Sequence, residues 1–104
     1  MPEAVREYAD AVVWYGDIDG ELAERFVRSL EERLALAMRM RGAGRLEPSA
    51  PDRFELRWYS LRDFPYALLI GTAAEERVVV AVAHEHRRPG YWADRLETLD
   101  SGES

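Results

Sequence analysis

The feature that most constrains the fold of this chain is an unbroken apolar run, Val78–Ala83, in which four of six residues are valine. A run this short and this rich in β-branched side chains predicts a strand covered on both faces of its sheet. It ends abruptly in a polar and aromatic segment, His84–Trp92, where Pro89 and Gly90 predict a turn. Because functional groups are often carried on loops that a rigid strand supports, we expect a candidate site at this junction.

Two helices are predicted ahead of the strands. Apolar side chains at helical spacing indicate a first helix over about Pro2–Tyr15 and a second over about Glu21–Arg41. The Gly16–Gly20 segment is expected to separate them, and Asp19 within it can cap free N–H groups of the second helix. A connection this short predicts a helical hairpin.

Three strands are predicted next, over Phe54–Ser60, Tyr66–Gly71 and Arg77–Ala83. Residues 46–52 contain two prolines and predict a loop, and residues 71–76 predict a turn. The sequence therefore predicts an α+β fold, a single domain over residues 1–104. In it the helical hairpin packs on one face of a small antiparallel sheet, and a short C-terminal helical segment follows. The polar tail, residues 98–104, is expected to fray.

Composition narrows the functional classes. The chain has 104 residues and no cysteine, which excludes a disulfide framework and cysteine-based metal or catalytic sites. No secretory signal is visible and no apolar run has the length of about 20 residues that a spanning helix needs. A soluble cytoplasmic protein is therefore expected. The net charge of −6 argues against direct binding to free DNA.

The charges are unevenly distributed along the chain. Residues 1–24 contain seven acidic residues and one Arg, a net charge of −6. Residues 25–62 contain nine Arg and five acidic residues, a net charge of +4, and the remainder carries −4. A basic middle can meet an acidic partner, although solvated intramolecular pairs explain most such charges.

Five segments occur in an order that resembles a known family. They are Ala9–Tyr15, Ala23–Glu31, Phe64–Leu69, the valine-rich strand and the ending His84–Trp92, with its His-x-x-Arg-Arg-x-x-Tyr-Trp pattern. Over residues 4–96 the chain resembles the ParE/RelE superfamily of type II toxin–antitoxin toxins, also called plasmid stabilisation proteins. It is most similar to the ParE-like branch.

This resemblance implies a small α+β toxin that a cognate antitoxin wraps and neutralises. ParE-like members bind DNA gyrase and are not themselves enzymes, and that is the function we expect here, with no cofactor. The alternative is a RelE-type endoribonuclease that cuts mRNA on the ribosome without a metal. A decayed, non-toxic member is a third possibility, and the oligomeric state, homo- or hetero-oligomeric, stays open.

The chain departs from the family pattern in three places. Family members usually begin with a strand, whereas this sequence starts with the first predicted helix. The residue before the Phe-Pro-Tyr element is often basic, but here it is Asp63. The strand after that element often ends in Tyr-Arg, but here it ends in Leu69–Gly71. The last two departures remove cations that a ribonuclease would use.

If the protein is a ribonuclease, its catalytic groups are expected in the segment after the last strand. Metal-free RNA cleavage needs a base, an acid and cations on the phosphate. His84 or His86 can supply the base, Arg87 and Arg88 the cations, and Tyr91 an acid or a stacking surface. The alternative is a segment that folds back on the sheet, with the Arg side chains paired to acids such as Asp94. His84 and His86 alone are too few ligands for zinc, so no metal site is predicted.

If the protein acts by binding another protein, a different set of residues is expected to contact the partner. Trp14 lies off the apolar face of the first helix, so it is expected to be exposed at an interface. The residues predicted to contact a partner are Trp14, Arg25, Arg28, Arg39, Arg87, Arg88 and Trp92. If no N-terminal strand is present, a sheet edge is open, and we expect the antitoxin or a second copy of the chain to cover it.

Overall fold

The computed structural model describes residues 1–100 and confirms the α+β fold. A helical hairpin precedes a four-stranded antiparallel sheet whose strands lie in chain order. The elements are α1 Pro2–Ile18, α2 Gly20–Arg39, β1 Arg45–Leu46, β2 Glu55–Ser60, β3 Tyr66–Ala73, β4 Glu76–His84, a 3₁₀ turn Ala93–Arg95 and α3 Leu96–Asp100. None of the described helices is long and apolar enough to cross a membrane.

The helices join more tightly than the sequence predicts. α1 continues through Gly16 to Ile18, so only Asp19, in an extended conformation, separates it from α2. The predicted cap is confirmed, because Asp19 Oδ1 accepts a hydrogen bond from the Glu21 backbone N–H at 2.8 Å. A glycine within a helix costs only about 1 kcal/mol, which is too little for Gly16 to end α1.

The sheet contains a strand that the sequence does not predict. β1 begins just before the predicted loop, residues 46–52, and pairs with β2, Arg45 opposite Trp58. Gly44 permits this approach, since a Cβ there would lie 2.8 Å from the Trp58 carbonyl oxygen and 2.7 Å from Cζ of Tyr59. A larger residue at position 44 would push β1 away from the sheet.

The hairpin of β3 and β4 is longer than predicted, because its turn consists of Ala74 and Glu75 alone. Both have positive φ angles, 52° and 69°, which such turns usually obtain from Asn-Gly. Gly71, expected to start the turn, is a buried strand residue. An added Cβ would lie 3.0 Å from Leu56 and 3.1 Å from Val80.

β4 is buried on both faces, as its valine-rich sequence predicts. The helix-side cluster packs Val82, Ile70 and Leu68 against Phe26 of α2. The outer cluster packs other sheet residues against the C-terminal segment; it contains Phe54, Leu56, Leu69, Val80, Ala81, Ala83, Trp92 and Leu96. A β-bulge at Val80, which has no partner on β3, places Val80 and Ala81 in the same cluster.

The C-terminal segment is more ordered than predicted over the residues described. α3 covers residues 98–100, which were expected to fray, because Leu96 is buried in the outer cluster and Leu99 packs against it. Residues 101–104, the rest of the predicted frayed tail, lie outside the described residues.

Candidate functional site

The segment after β4 leaves the sheet through a series of tight turns. The Arg87 N–H donates to the His84 carbonyl at 3.0 Å, and the Tyr91 N–H donates to the Arg88 carbonyl at 3.2 Å. Gly90 has a φ of 76°, a conformation that glycine adopts without strain. These turns return Tyr91 and Trp92 to the sheet, as the fold-back interpretation predicts. Its predicted pairing of Arg87 or Arg88 with Asp94 is wrong within residues 1–100, where Arg87 lies over the Tyr91 ring instead.

One carboxylate of α1 holds this segment in place. Glu7 Oε2 accepts from the Tyr91 hydroxyl at 2.7 Å and from Nη2 of Arg95 at 2.9 Å. Glu7 Oε1 accepts from Nη1 of Arg95 and from the Val82 backbone N–H, both at 2.9 Å. We call Glu7, Tyr91 and Arg95 the Glu7 clasp. It joins α1, β4 and the C-terminal segment at one point.

The Glu7 clasp also corrects the expectation of an open sheet edge. Val82 N–H points away from β3 and is bound by Glu7, while Val80 C=O accepts from Nη1 of Arg95 at 2.9 Å. Two side chains therefore occupy the outer edge of β4 where another strand would otherwise pair. No antitoxin strand or second copy is needed to cover that stretch.

The clasp shifts the pKa values of its members. Burial alone would raise the pKa of the Glu7 carboxyl, but hydrogen bonds from Arg95, Tyr91 and the Val82 backbone outweigh burial and lower it. Burial, followed by the hydrogen bond to Glu7, raises the pKa of Tyr91 well above its usual value. The hydrogen bond to Glu7 raises the pKa of Arg95. All three groups therefore keep one protonation state near neutral pH.

This arrangement makes Tyr91 a positioning residue. Its hydroxyl proton is donated to Glu7, and its raised pKa makes it a weak acid. Its ring is covered by guanidinium groups, Arg87 at 4.0 Å and Arg95 at 5.1 Å from the ring centroid. Neither the hydroxyl nor the covered ring face is available to a substrate, although Tyr91 fixes the position of Arg87.

The two histidines have different surroundings. His84 Nδ1 accepts from the His86 backbone N–H at 3.0 Å, and its ring meets Tyr66 edge-to-face at 5.0 Å. The His86 side chain is 81% exposed, with Glu85 at 3.8 Å. Within residues 1–100 no three His, Cys, Asp or Glu side chains are placed to hold a metal ion.

A groove of about 850 Å³ crosses the outer face of the sheet beside the segment that follows β4. Its floor is a row of small residues, Ser60, Ala67 and Ala83, which are paired across β2, β3 and β4. Small side chains at one register position leave the concavity open. The walls of this sheet groove carry Arg45, Glu47 and Trp58 on one side and His84, Arg87 and Arg88 on the other.

Glu47 organises the wall of the sheet groove opposite the histidines. Its carboxylate accepts from Nε1 of Trp58 at 2.9 Å and from both the backbone and the hydroxyl of Ser49. Burial alone would raise the pKa of Glu47, but these hydrogen bonds and the nearby Arg45 lower it. The wall is thus a fixed, charged surface in the free protein.

Trp92 is placed differently from the prediction that it contacts a partner. Its side chain is buried in the outer cluster, with only 3% of its surface exposed, and it meets Trp58 edge-to-face at 6.3 Å. The neighbouring Tyr91 is held by the Glu7 clasp, so the backbone turns Trp92 toward the sheet. Trp92 lines the sheet groove but exposes too little surface to serve as the predicted partner anchor.

Trp14 is 64% exposed, as predicted. It lies at a second, smaller cavity of about 220 Å³ between α1 and the segment after β4. We call this cavity the Trp14 notch; it is lined by Glu7, Asp10, Ala11, Trp14, Tyr66, Val82, His84, Arg87 and Tyr91. Because His84, Arg87 and Tyr91 line both cavities, they form the ridge between the notch and the sheet groove.

The remaining predicted partner residues lie on exposed positions of α2. Arg25, Arg28 and Arg39 line neither the sheet groove nor the Trp14 notch. Arg28 borders a shallow groove of about 430 Å³ along the helical hairpin, which also includes Val12 and Val27. Within residues 1–100 no ion pair joins Arg28 to a neighbouring glutamate. These three arginines of α2 are therefore separate from the site after β4.

Sequence reasoning missed Glu7 and Arg95, the two charged partners of the clasp. One signal was present, because Glu7 lies between the buried residues Ala4 and Ala11 at spacings of three and four. A carboxylate on a buried helical stripe needs a partner. Arg95, adjacent to the buried Leu96, is that partner in the structure.

Comparison with models of protein families, with curated proteins and with solved structures finds no match for this chain. The likeness to the ParE/RelE superfamily therefore depends on the sequence motifs alone.

Proposed function

We propose that this chain is the toxin of a type II toxin–antitoxin pair. It acts by binding a protein target, with DNA gyrase as the first candidate, and a cognate antitoxin neutralises it. The observation that carries this proposal is the 64% exposure of Trp14 beside the ridge formed by His84, Arg87 and Tyr91. Tryptophan is enriched among the residues that dominate binding between proteins.

The rest of α1 supports a protein-binding surface. Ile18 is 62% exposed, close to the value for Trp14. Trp14 and Ile18 are four residues apart and therefore adjacent on the helix surface. Together they form a small apolar surface that another protein can bury, on the side of α1 opposite Val5, which precedes Trp14 by nine residues.

The geometry of Tyr91 favours binding over catalysis. A metal-free ribonuclease needs an acid for the leaving oxygen, yet the Tyr91 proton is committed to Glu7 and its pKa is raised. The strand that would carry cations in such an enzyme offers the buried residues Leu69–Gly71 instead. An inhibitor that acts by binding to the surface of its target requires neither a catalytic acid nor these cations.

Antitoxin binding is proposed at the helical hairpin. The shallow groove that includes Arg28 combines apolar side chains, such as Val12 and Val27, with that one cation and two glutamates. Arg25 and Arg39 are exposed on the same helix. An amphipathic antitoxin segment that carries both acidic and basic residues beside an apolar stripe fits this chemistry.

A second candidate function is favoured by the sheet groove. Arg45, Arg87 and Arg88 line a cavity whose volume suits a nucleotide, and guanidinium groups bind phosphate well. A RelE-type ribonuclease would place RNA there. This candidate requires His84 or His86 to act as a base and some group other than Tyr91 to act as an acid.

Inducing the chain alone in a bacterial host, with pulse-labelling of DNA and protein synthesis, tests the proposal. We expect DNA synthesis to stop first and a matched antitoxin, where supplied, to restore growth. Protein synthesis stopping first would favour the ribonuclease. A folded chain that arrests neither process would contradict the toxin proposal and support a decayed family member.

Two variants sharpen this experiment. Trp14→Ala is expected to abolish the arrest, because it removes the proposed anchor. Val5→Ala, at a residue of similar exposure on the same helix, serves as the matched control and is expected to retain it. If Arg88→Ala abolishes the arrest and Trp14→Ala does not, the sheet groove and not α1 carries the function.

A further inference from the structure

We propose that the Trp14 notch binds a cationic side chain, arginine or lysine, supplied by a partner protein. This inference extends the proposed function by naming the chemistry of the partner's anchor. The notch has a volume of about 220 Å³. Pockets for drug-sized ligands span roughly 300–1,000 Å³. The notch is therefore suited to one side chain and is too small for a nucleotide.

Aromatic rings form its walls. Tyr66 and His84 meet edge-to-face at 5.0 Å, so they are already packed together. Trp14 makes no ring contact with any residue among 1–100, although it lines the same cavity. One exposed indole face is therefore free to receive a cation. Tryptophan is the strongest of the aromatic side chains in cation–π binding.

Asp10 supplies the carboxylate that such a cation requires. It precedes Trp14 by four residues on α1, so the two side chains lie on the same side of the helix. No hydrogen bond or ion pair engages Asp10 within the described chain, whereas Glu7 is saturated by Tyr91, Arg95 and Val82. Burial first, and the field of Asp10 second, raise the pKa of Tyr66, which places that negative charge beside the notch.

The chain itself shows that these walls accept a guanidinium. Arg87, which lines the notch, lies 4.0 Å from the centroid of the Tyr91 ring. The charge of Arg87 opposes a second cation, and the unpaired Asp10 offsets that repulsion. A partner's cation would therefore lie between Trp14 and Asp10, and removing Arg87 should make room and strengthen binding.

The test is a titration of the full chain with N-acetyl-arginine amide, followed by the indole N–H signals in ¹H–¹⁵N spectra. N-acetyl-citrulline amide, which has the same shape without the charge, is the control ligand, and sodium chloride matches the ionic strength. We expect a saturable shift of the Trp14 indole signal at half-saturation on the order of 10–100 mM. The buried Trp92 should not respond.

Three variants complete the experiment, each checked for an unchanged fold by its amide spectrum. Asp10→Asn should weaken binding roughly threefold or more. Glu32→Gln, at an exposed acid of α2 outside the notch, should leave binding unchanged. Arg87→Ala should strengthen it. An equal response to citrulline, no response at Trp14 up to that concentration, or equal effects of Asp10→Asn and Glu32→Gln would overturn the proposal. The readout does not use toxicity, so its failure and the failure of the growth-arrest test are distinguishable.

Discussion

Two regions of the molecule hold α1 against the sheet, and they do so by different physical means. In the first, the rings of Tyr8, Tyr15, Phe26, Phe64 and Tyr66 pack with centroids 5.1 to 6.2 Å apart. In the second, the Glu7 clasp, one carboxylate accepts four hydrogen bonds. Aromatic packing tolerates small shifts in position, whereas the clasp depends on one group in one protonation state.

The contrast matters because the two regions meet at the candidate site. Tyr66 belongs to the aromatic region and contacts His84, while Tyr91 belongs to the clasp and supports Arg87. The ridge between the sheet groove and the Trp14 notch is thus held from both sides. Loss of the aromatic region should weaken the whole fold. Loss of the clasp should release the ridge and the C-terminal segment first.

Phe26→Ala tests the aromatic region and should have the largest effect. Phe26 is fully buried and contacts four other rings. Truncating a buried phenylalanine costs about 3–5 kcal/mol, because apolar contact is lost and a cavity remains. Urea unfolding should show a midpoint shifted far down or a chain already unfolded. Phe26→Leu, which fills part of the cavity, should recover much of the loss; equal midpoints for Ala and Leu would contradict cavity formation as the cause.

Glu7→Gln tests the clasp and should have the second largest effect. Removing one partner of a nearly buried ion pair leaves the other charge without compensation, and here also turns an amide N–H toward Arg95. The Arg95 and Glu7 side chains are only 13% and 16% exposed, so we expect a loss of about 2–4 kcal/mol. Combining it with Arg95→Met should cost less than the sum of the two single changes. Additive losses would show that the pair is not coupled.

The same variant predicts a difference in pH dependence. The folded-state pKa of Glu7 lies below its usual value of 4.5, so the clasp is complete above that pH and is lost as pH falls through the lowered pKa. Urea midpoints of the wild-type chain should therefore drop more between about pH 7 and about pH 3 than those of Glu7→Gln. Parallel curves for the two proteins would show that Glu7 does not titrate with unfolding.

The aromatic region and most of the fold could be predicted from the sequence, whereas the clasp could not. Tyr8 and Tyr15 recur at helical spacing, and the run Val78–Ala83 indicates a doubly covered strand; both patterns depend on local periodicity. The clasp joins Glu7 to Arg95, which is 88 residues away. No local pattern encodes that pairing. β1 was missed for a related reason, since it pairs through backbone groups and its approach depends on Gly44.

The candidate site, like the fold, could be predicted from the sequence only in part. The sequence placed His84, Arg87, Arg88 and Tyr91 together, because they are neighbours along the chain, and it placed Trp14 on an exposed face. The sequence does not indicate which of these side chains are engaged in contacts within the folded chain. The orientation of Trp92 and the role of Tyr91 depend on the turns that return the chain to the sheet. Consequently one residue expected at an interface is buried, and a residue considered as an acid acts as a support.

A matched pair of changes, Tyr91→Phe and Tyr15→Phe, makes the smallest but most direct comparison of the two regions. Each removes one hydroxyl and keeps the ring. The Tyr91 hydroxyl donates to the Glu7 carboxylate at 2.7 Å, so its loss should cost about 1–2 kcal/mol. The Tyr15 hydroxyl has no hydrogen-bond partner within the described residues, so its loss should change stability by less than about 0.5 kcal/mol. Urea unfolding of the two variants side by side measures the difference. Equal effects would mean that the hydroxyl of Tyr91 adds nothing to the clasp, and that the ring of Tyr91 with Arg95 holds the ridge by packing, as the aromatic region does.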